Sequence, residues 1–215
     1  MKHVLIFANG ELDEGPAVDH ALAQSAEIIA ADGGAELAIQ KGCNINLLVG
    51  DMDSISPETL QMLRDRGVEI LQFPPEKDET DLEIALKEAA RRGAEWIRVI
   101  GALGGRLDQM LANIYLLNLI ALMRCDVRLV SGKQTTWVLQ SGDHPLMGEA
   151  GDTISLLPLG GAVEGITTTG LQYPLRGETL KFGPARGVSN VIAEAEPRLR
   201  FRKGRLLVIH TVGHA

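Results

Sequence analysis

The stretch Ile45-Asn46-Leu47-Leu48-Val49-Gly50-Asp51-Met52-Asp53-Ser54 decides the fold. Its apolar part, Leu47–Val49, has no polar alternation, the pattern of a strand buried on both faces of a parallel sheet. The run ends at Gly50 and gives way to Asp51 and Asp53, alternate residues whose side chains share a face if the backbone stays extended. Lys77-Asp78-Glu79-Thr80-Asp81 repeats the arrangement, following the strand-like Glu69-Ile70-Leu71-Gln72-Phe73 and two prolines. Ligands of open α/β sheets bind at the carboxyl ends of strands. Two carboxylates ~5 Å apart there repel by roughly 3 kcal/mol at an effective dielectric of ~20. A divalent cation relieves that repulsion, and hard oxygen donors beside a phosphate favour magnesium.

Strand and helix patterns alternate on both sides of this stretch. Val4–Ala8, Glu27–Ala31, Trp96–Ile100 and Val127–Val130 read as further strands. Helices are predicted over Ala17–Gln24, from Asp32-Gly33-Gly34-Ala35 to a capping glycine at Gly42, and from Ser56-Pro57-Glu58 onward. Thr80-Asp81-Leu82-Glu83 fits a capping box opening a helix to Arg92. After the glycine-rich turn Gly101–Gly105, a long helix is expected to put Leu107, Met110, Leu111, Ile114 and Leu117 on one face. Repeated strand–helix units imply a mostly parallel sheet with right-handed crossovers. The helical period is lost after Gly132. Short strand-like runs follow at Thr136–Leu139, Thr153–Leu157, Ala162–Thr167, Glu178–Phe182, Val188–Ala193 and Arg205–His210, punctuated by Gly and Pro. The expectation is an α/β domain over residues 1–132 and an all-β antiparallel sandwich or barrel over 133–215, divided at Ser131-Gly132-Lys133.

The net charge of −7 disfavours a nucleic-acid partner, since phosphate backbones select basic surfaces. Aromatics, at 4%, are too few for a base-stacking surface. Cys43 and Cys125 form no CxxC pair and suit a reducing compartment. The longest apolar run, near Ile114–Met123, is broken by Asn118 and is too short to span a bilayer. With no signal-peptide pattern at the N-terminus, the reading is a cytoplasmic protein without a membrane partner.

Several residues have both a structural and a chemical reading. Asp32 is either an N-cap or a carboxylate near a phosphate or metal. Thr80 reads as an N-cap, and Asp81 suits the first turn of a helix for its charge alone. Asp78 and Asp81 gain weight from lying at the same sheet edge as Asp51 and Asp53. Lys77 and Arg106 could each contact phosphate. Gly101-Ala102-Leu103-Gly104-Gly105-Arg106-Leu107-Asp108 is a strand-to-helix turn whose backbone N–H groups could hold phosphate oxygens, although it is neither a Walker A loop nor a dinucleotide fingerprint. Ser189 and Asn190 offer a hydroxyl and an amide that could read the polar edge of a heterocycle, or serve a turn.

Together these segments resemble the thiamine pyrophosphokinase (thiamine diphosphokinase) family. The motifs that carry the resemblance are Ala31–Ala35, Gly50–Ile55, Lys77–Glu83, Gly104–Asp108, Thr169–Leu175 and Gly187–Asn190, in that order along nearly the whole chain. Where the family often has His after the fourth motif, this chain has Gln109. The resemblance implies an ATP-binding α/β domain, a thiamine-binding β domain, and a homodimer with sites between subunits. It implies transfer of a pyrophosphoryl group from ATP to thiamine, giving AMP and thiamine diphosphate with magnesium. Asp51, Asp53 and Asp81 would ligate the metal. Asp32 and Asp78 would orient substrate, and Asp78 or Asp81 would accept the hydroxyl proton. Lys77, Thr80, Gly104, Gly105, Arg106 and Asp108 would form the ATP site, and Ser189 and Asn190 the thiamine site. Two alternatives remain open: pyrophosphorylation of another hydroxyalkyl heterocycle such as a pterin, and a non-catalytic sensor of thiamine or nucleotide.

Overall fold

The computed structural model describes residues 1–119 and 122–214. Ile120 and Ala121, inside the apolar run near Ile114–Met123, and the terminal Ala215 lie outside the described residues. The chain divides into two units, Met1–Gly132 and Lys133–Ala215.

In the first unit the apolar runs become strands β1 (His3–Phe7), β2 (Glu27–Ala31), β3 (Leu47–Gly50), β4 (Glu69–Gln72), β5 (Trp96–Ile100) and β6 (Asp126–Ser131). All described pairings among them are parallel, in the order β4-β3-β2-β1-β5-β6. Helices α1 (Pro16–Gln24), α2 (Gly34–Gln40), α3 (Pro57–Asp65), α4 (Asp81–Arg91) and α5 (Leu107–Leu116) connect them. Alternate residues of one strand feed opposite cores. Leu5 and Phe7 pack with α1, α2 and α3 residues, while Val4 and Ile6 pack with Leu82, Ala85, Leu86 and Ala89 of α4. That two-sided burial is why the strands read as unbroken apolar runs. The chain steps outward from β1 to β4, and α4 then returns it to β5 beside β1. The strand order therefore reverses between β1 and β5, where open α/β sheets place their ligand crevice.

The helix starts follow the capping chemistry. Ser56 Oγ accepts from the Thr59 N–H at 3.1 Å, and Thr80 Oγ1 accepts from the Glu83 N–H at 3.2 Å. The capping box at Thr80 is half realised, because the Glu83 carboxylate pairs with Lys87 Nζ at 2.7 Å. The face expected of α5 is corrected. Leu107 and Leu111 are exposed, and the inward side carries Asn113 with the partly buried Ile114 and Leu117. Apolar residues lie around more of this helix than one stripe, so spacing alone does not select the buried side.

The second unit is antiparallel and β-rich. Its strands are β7 (Gln134–Pro145), β8 (Thr153–Pro158), β9 (Val163–Thr169), β10 (Arg176–Leu180), β11 (Asn190–Val191) and β12 (Arg198–Thr211). β7 and β12 are longer, and β11 shorter, than the sequence pattern suggests. β12 keeps β7 on one side, with a register shift between Phe201 and Arg205, but on the other it pairs with β9 over Arg198–Lys203 and with β8 over Leu206–Thr211. The exchange occurs at Gly204, where φ is +106°. It folds the sheet over a core that includes Trp137, Ile154, Ile166, Leu199, Phe201 and Val208.

Candidate active site

The carboxyl ends of the first unit's strands surround a cleft of about 690 Å³. Its walls come from Asn9-Gly10-Glu11 after β1, Asp32 after β2, Asp51, Asp53 and Ser54 after β3, the Pro75–Leu82 region before and into α4, and Gly101–Arg106 after β5.

Asp32 enters this cleft through an unusual backbone. Its φ is +47°, and its N–H donates to the Val49 carbonyl at 2.8 Å. Asp tolerates this left-handed conformation better than most residues. The following helix starts close against β1, an approach that needs glycine because a Cβ on Gly34 would overlap the Phe7 carbonyl. Gly33, not Asp32, is the N-cap of α2, so the capping reading of Asp32 is not realised. The Asp32 carboxyl is instead buried, 4% exposed, and its Oδ1 has no hydrogen-bond partner. Burial pushes its pKa up. The Ser54 hydroxyl and Gly33 N–H oppose that shift, while the charges of Asp81 and Asp53 add to it.

Asp51 and Asp53 meet Asp32 by a turn rather than by extended backbone. Met52 between them has φ +70° and is anchored by its side chain in the core under α2 and α3. Asp51 Oδ1 accepts the Asp53 N–H at 3.1 Å, and Asp53 Oδ1 accepts the Ser54 hydroxyl at 2.8 Å. That backbone N–H, helped by Lys77 and opposed by burial, holds the Asp51 carboxyl below the usual range. One carboxylate oxygen from each of Asp32, Asp51 and Asp53 lies within 4.8 Å of the other two. An unpartnered buried oxygen within an all-carboxylate set fits a hard divalent cation.

Lys77 joins the two acidic segments. Its Nζ lies 2.9 Å from Asp81 Oδ1 and 3.5 Å from Asp51 Oδ2. Burial works against the ammonium, but Asp81 and Asp51 outweigh it and raise the Lys77 pKa. The sequence reading grouped Asp81 with Asp51 and Asp53; the structure gathers Asp32 with those two and sets Asp81 against Lys77. Asp78 is exposed and is not part of the cleft wall. Arg106 and Asp108 are exposed and paired with each other, Nη2 to Oδ2 at 2.6 Å. The Thr80 side chain lines the cleft while capping α4.

The second unit has its own cleft of about 480 Å³, lined in part by Gln172, Tyr173, Pro174, Arg186 and Asn190. Asn190 is 8% exposed, and its amide serves the backbone. Oδ1 accepts from the Tyr173 N–H at 3.0 Å and the Val191 N–H at 2.9 Å, and Nδ2 donates to the Tyr173 carbonyl at 2.8 Å. Asn190 therefore shapes this wall by fixing Tyr173. Ser189 is exposed, with φ +57° and its N–H donating to Ser155 Oγ at 3.0 Å, and it lies outside the wall of this cleft.

Sequence reading passed over Asn9, Glu11 and Asn113 as part of the first cleft, and it held Ser54 and Glu79 within the two acidic stretches without giving either a role. The available signal for Asn9 and Glu11 was their place just after β1, one of the two strands at the switch point.

A family model described as "Thiamin pyrophosphokinase, catalytic domain" matches residues 18–129, and one described as "Thiamin pyrophosphokinase, vitamin B1 binding domain" matches residues 143–206. A thiamine pyrophosphokinase of Bacillus subtilis is 28% identical over 163 residues, spanning 75% of this chain and 76% of the relative. Thiamine pyrophosphokinase 1 of Oryza sativa is 31% identical over 164 residues, covering 72% of this chain and 61% of the relative. The crystal structure of the Bacillus subtilis enzyme superposes with a TM-score of 0.87 at 26% identity, covering 97% of this chain and 98% of that one. Yeast thiamin pyrophosphokinase, at 15% identity, shares the fold with a TM-score of 0.79. The chain belongs to the thiamine pyrophosphokinase family.

Proposed function

We propose that the chain transfers a pyrophosphoryl group from ATP to the hydroxyethyl oxygen of thiamine, giving thiamine diphosphate and AMP. The observation that carries this reading is the meeting of three carboxylates, Lys77 and a glycine-rich turn around one cleft at the switch point of the sheet. The first cleft would hold ATP, and thiamine would use the wall that Asn190 shapes in the second unit.

The new bond forms between the thiamine oxygen and the β-phosphorus. The bond from that phosphorus to the α–β bridging oxygen breaks, and AMP leaves with the electron pair. Asp32, Asp51 and Asp53 would hold a magnesium ion, with Asp81 as the further carboxylate expected from the family. When bound, that ion supplies charge neutralisation for the phosphate oxygens and the developing bridging oxygen. Backbone N–H groups at Gly104 and Gly105 and the Arg106 guanidinium would orient the phosphates, with Asp108 steadying Arg106. Lys77, whose pKa Asp81 and Asp51 raise, would face them as a cation. Asp81 lines the cleft and is better situated than the exposed Asp78 to accept the hydroxyl proton.

We place the enzyme in the cytoplasm as a homodimer. Leu107, Leu111 and Tyr115 on α5 are exposed and would offer apolar surface to a second copy. Among the described residues no helix is long and apolar enough to cross a membrane. The function is tested by incubating the chain with magnesium, ATP and a series of hydroxyalkyl heterocycles, then weighing the products. Thiamine gaining one pyrophosphoryl group supports the reading. The same gain on a pterin and none on thiamine would reassign the acceptor.

A further inference from the structure

α5 contains one buried residue among those described, and it is polar: Asn113, 9% exposed. Asn is a weak helix former, and burying its amide without partners is costly. Position 113 shares the inward side of α5 with Ile114 and Leu117, where an apolar residue would add to the core. What the amide does there is specific. Asn113 Nδ2 donates to the Ala102 carbonyl at 2.9 Å, across eleven residues of chain. A carbonyl can only accept, so this bond also sets which way round the amide sits.

Ala102 lies in the glycine-rich turn between β5 and α5. The first half of that turn is clamped. The Ala8 N–H donates to the Ile100 carbonyl at 2.8 Å, and a Cβ on Gly10 would overlap the Gly101 carbonyl. The second half, Gly104-Gly105-Arg106, is exposed, with φ +100° and +68° at the two glycines. Asn113 sits at the border between the clamped half and the free half.

We propose that Asn113 is a positioning residue for the nucleotide: by holding the Ala102 carbonyl, it sets where the N–H groups of Gly104 and Gly105 meet the phosphates. This rests on the reading of Gly101–Arg106 as the phosphate-holding turn. Asn113→Asp keeps the shape and removes the donor, leaving two acceptors face to face. Asn113→Ala removes the bond without that repulsion and serves if the aspartate variant folds poorly.

The experiment compares wild type and both variants by calorimetric titration with magnesium-ATP, by steady-state kinetics and by thermal unfolding. Loss of one buried hydrogen bond that acts through the turn predicts about a tenfold weaker ATP Kd and ATP KM, with thiamine KM unchanged. Protonation restores a donor at the new carboxyl, so the ATP defect of Asn113→Asp relative to wild type shrinks as pH is lowered. Unchanged ATP affinity in both variants, or equal changes in ATP and thiamine KM accompanied only by a lower Tm, overturns the proposal. Wild type that binds ATP but releases no AMP with thiamine overturns the proposed function and leaves the binding comparison to decide the role of Asn113.

Discussion

Asp53→Asn removes one charge from the carboxylate cluster while preserving its shape, and it should stabilise the cation-free protein as it destroys activity. Carboxylate oxygens of Asp32, Asp51 and Asp53 lie within 4.8 Å of one another. At that distance and an effective dielectric of ~20, each pair of charges repels by about 3.5 kcal/mol. Asp53 takes part in two such pairs. The realised cost is smaller, because Asp53 is exposed to water and Lys77 Nζ stands 3.5 Å from Asp51. We expect a gain of about 1–2 kcal/mol, or about 2–8 °C in Tm for a chain of this size. The replacement amide oxygen can still accept the Ser54 hydroxyl, so the turn has no reason to collapse. The assay is thermal unfolding in chelator and in excess magnesium, alongside turnover. Wild type should be the less stable protein in chelator and should gain more from magnesium. Turnover of the variant should fall at least about 100-fold. Equal Tm in chelator together with an equal magnesium gain would refute the claim that these three carboxylates form the cation site.

Asn190→Ala deprives the Tyr173 N–H and carbonyl and the Val191 N–H of their partner; unfolding experiments should show a loss of about 2–4 kcal/mol, and thiamine KM should rise more than ATP KM. Gly34→Ala forces a Cβ into the Phe7 carbonyl and should cost roughly 3 kcal/mol or more, whereas Gly42→Ala, with open space around it and φ +68°, should cost only about 1–2 kcal/mol; paired denaturant titrations check the contrast. Arg91 and Arg92 bond Glu88 and hold its pKa at about 2, against an ordinary 4.5, with burial opposing them. A depressed carboxylate pKa stabilises the fold above the unfolded value. Its contribution should therefore be present above pH 4.5 and fade as pH falls toward 2, and Glu88→Gln should flatten the stability profile in that window.

The first unit was legible in the sequence because burial on both faces writes an apolar run for each strand. β2 and β5 coincide with the expected spans, and the acidic turns after β2 and β3 announced themselves by charge. Three things were hidden. Position at the sheet edge and the family resemblance set Asp81 with Asp51 and Asp53, whereas Met52 at φ +70° turns that segment toward Asp32, and Asp81 lies against Lys77. The turn Asn9–Glu11 resembles any strand exit, and only the strand order puts it beside Gly101 at the switch point. Asn190 stood out as a polar residue, but no sequence pattern announces that its amide is spent on the backbone of Tyr173, seventeen residues away. In the second unit, β12 exchanges β9 for β8 midway, so of this single long strand only the second half, Arg205–His210, is legible as a strand in the sequence.

At its core, the proposed reaction moves the pyrophosphoryl group of metal-held ATP onto the thiamine hydroxyl and cleaves between the α- and β-phosphates. Release of AMP from magnesium-ATP, followed with and without thiamine, tests it most directly. AMP should form in step with added thiamine, one for one with thiamine diphosphate, and none should form in chelator. Release of ADP in place of AMP, or AMP at a rate indifferent to thiamine, would contradict it.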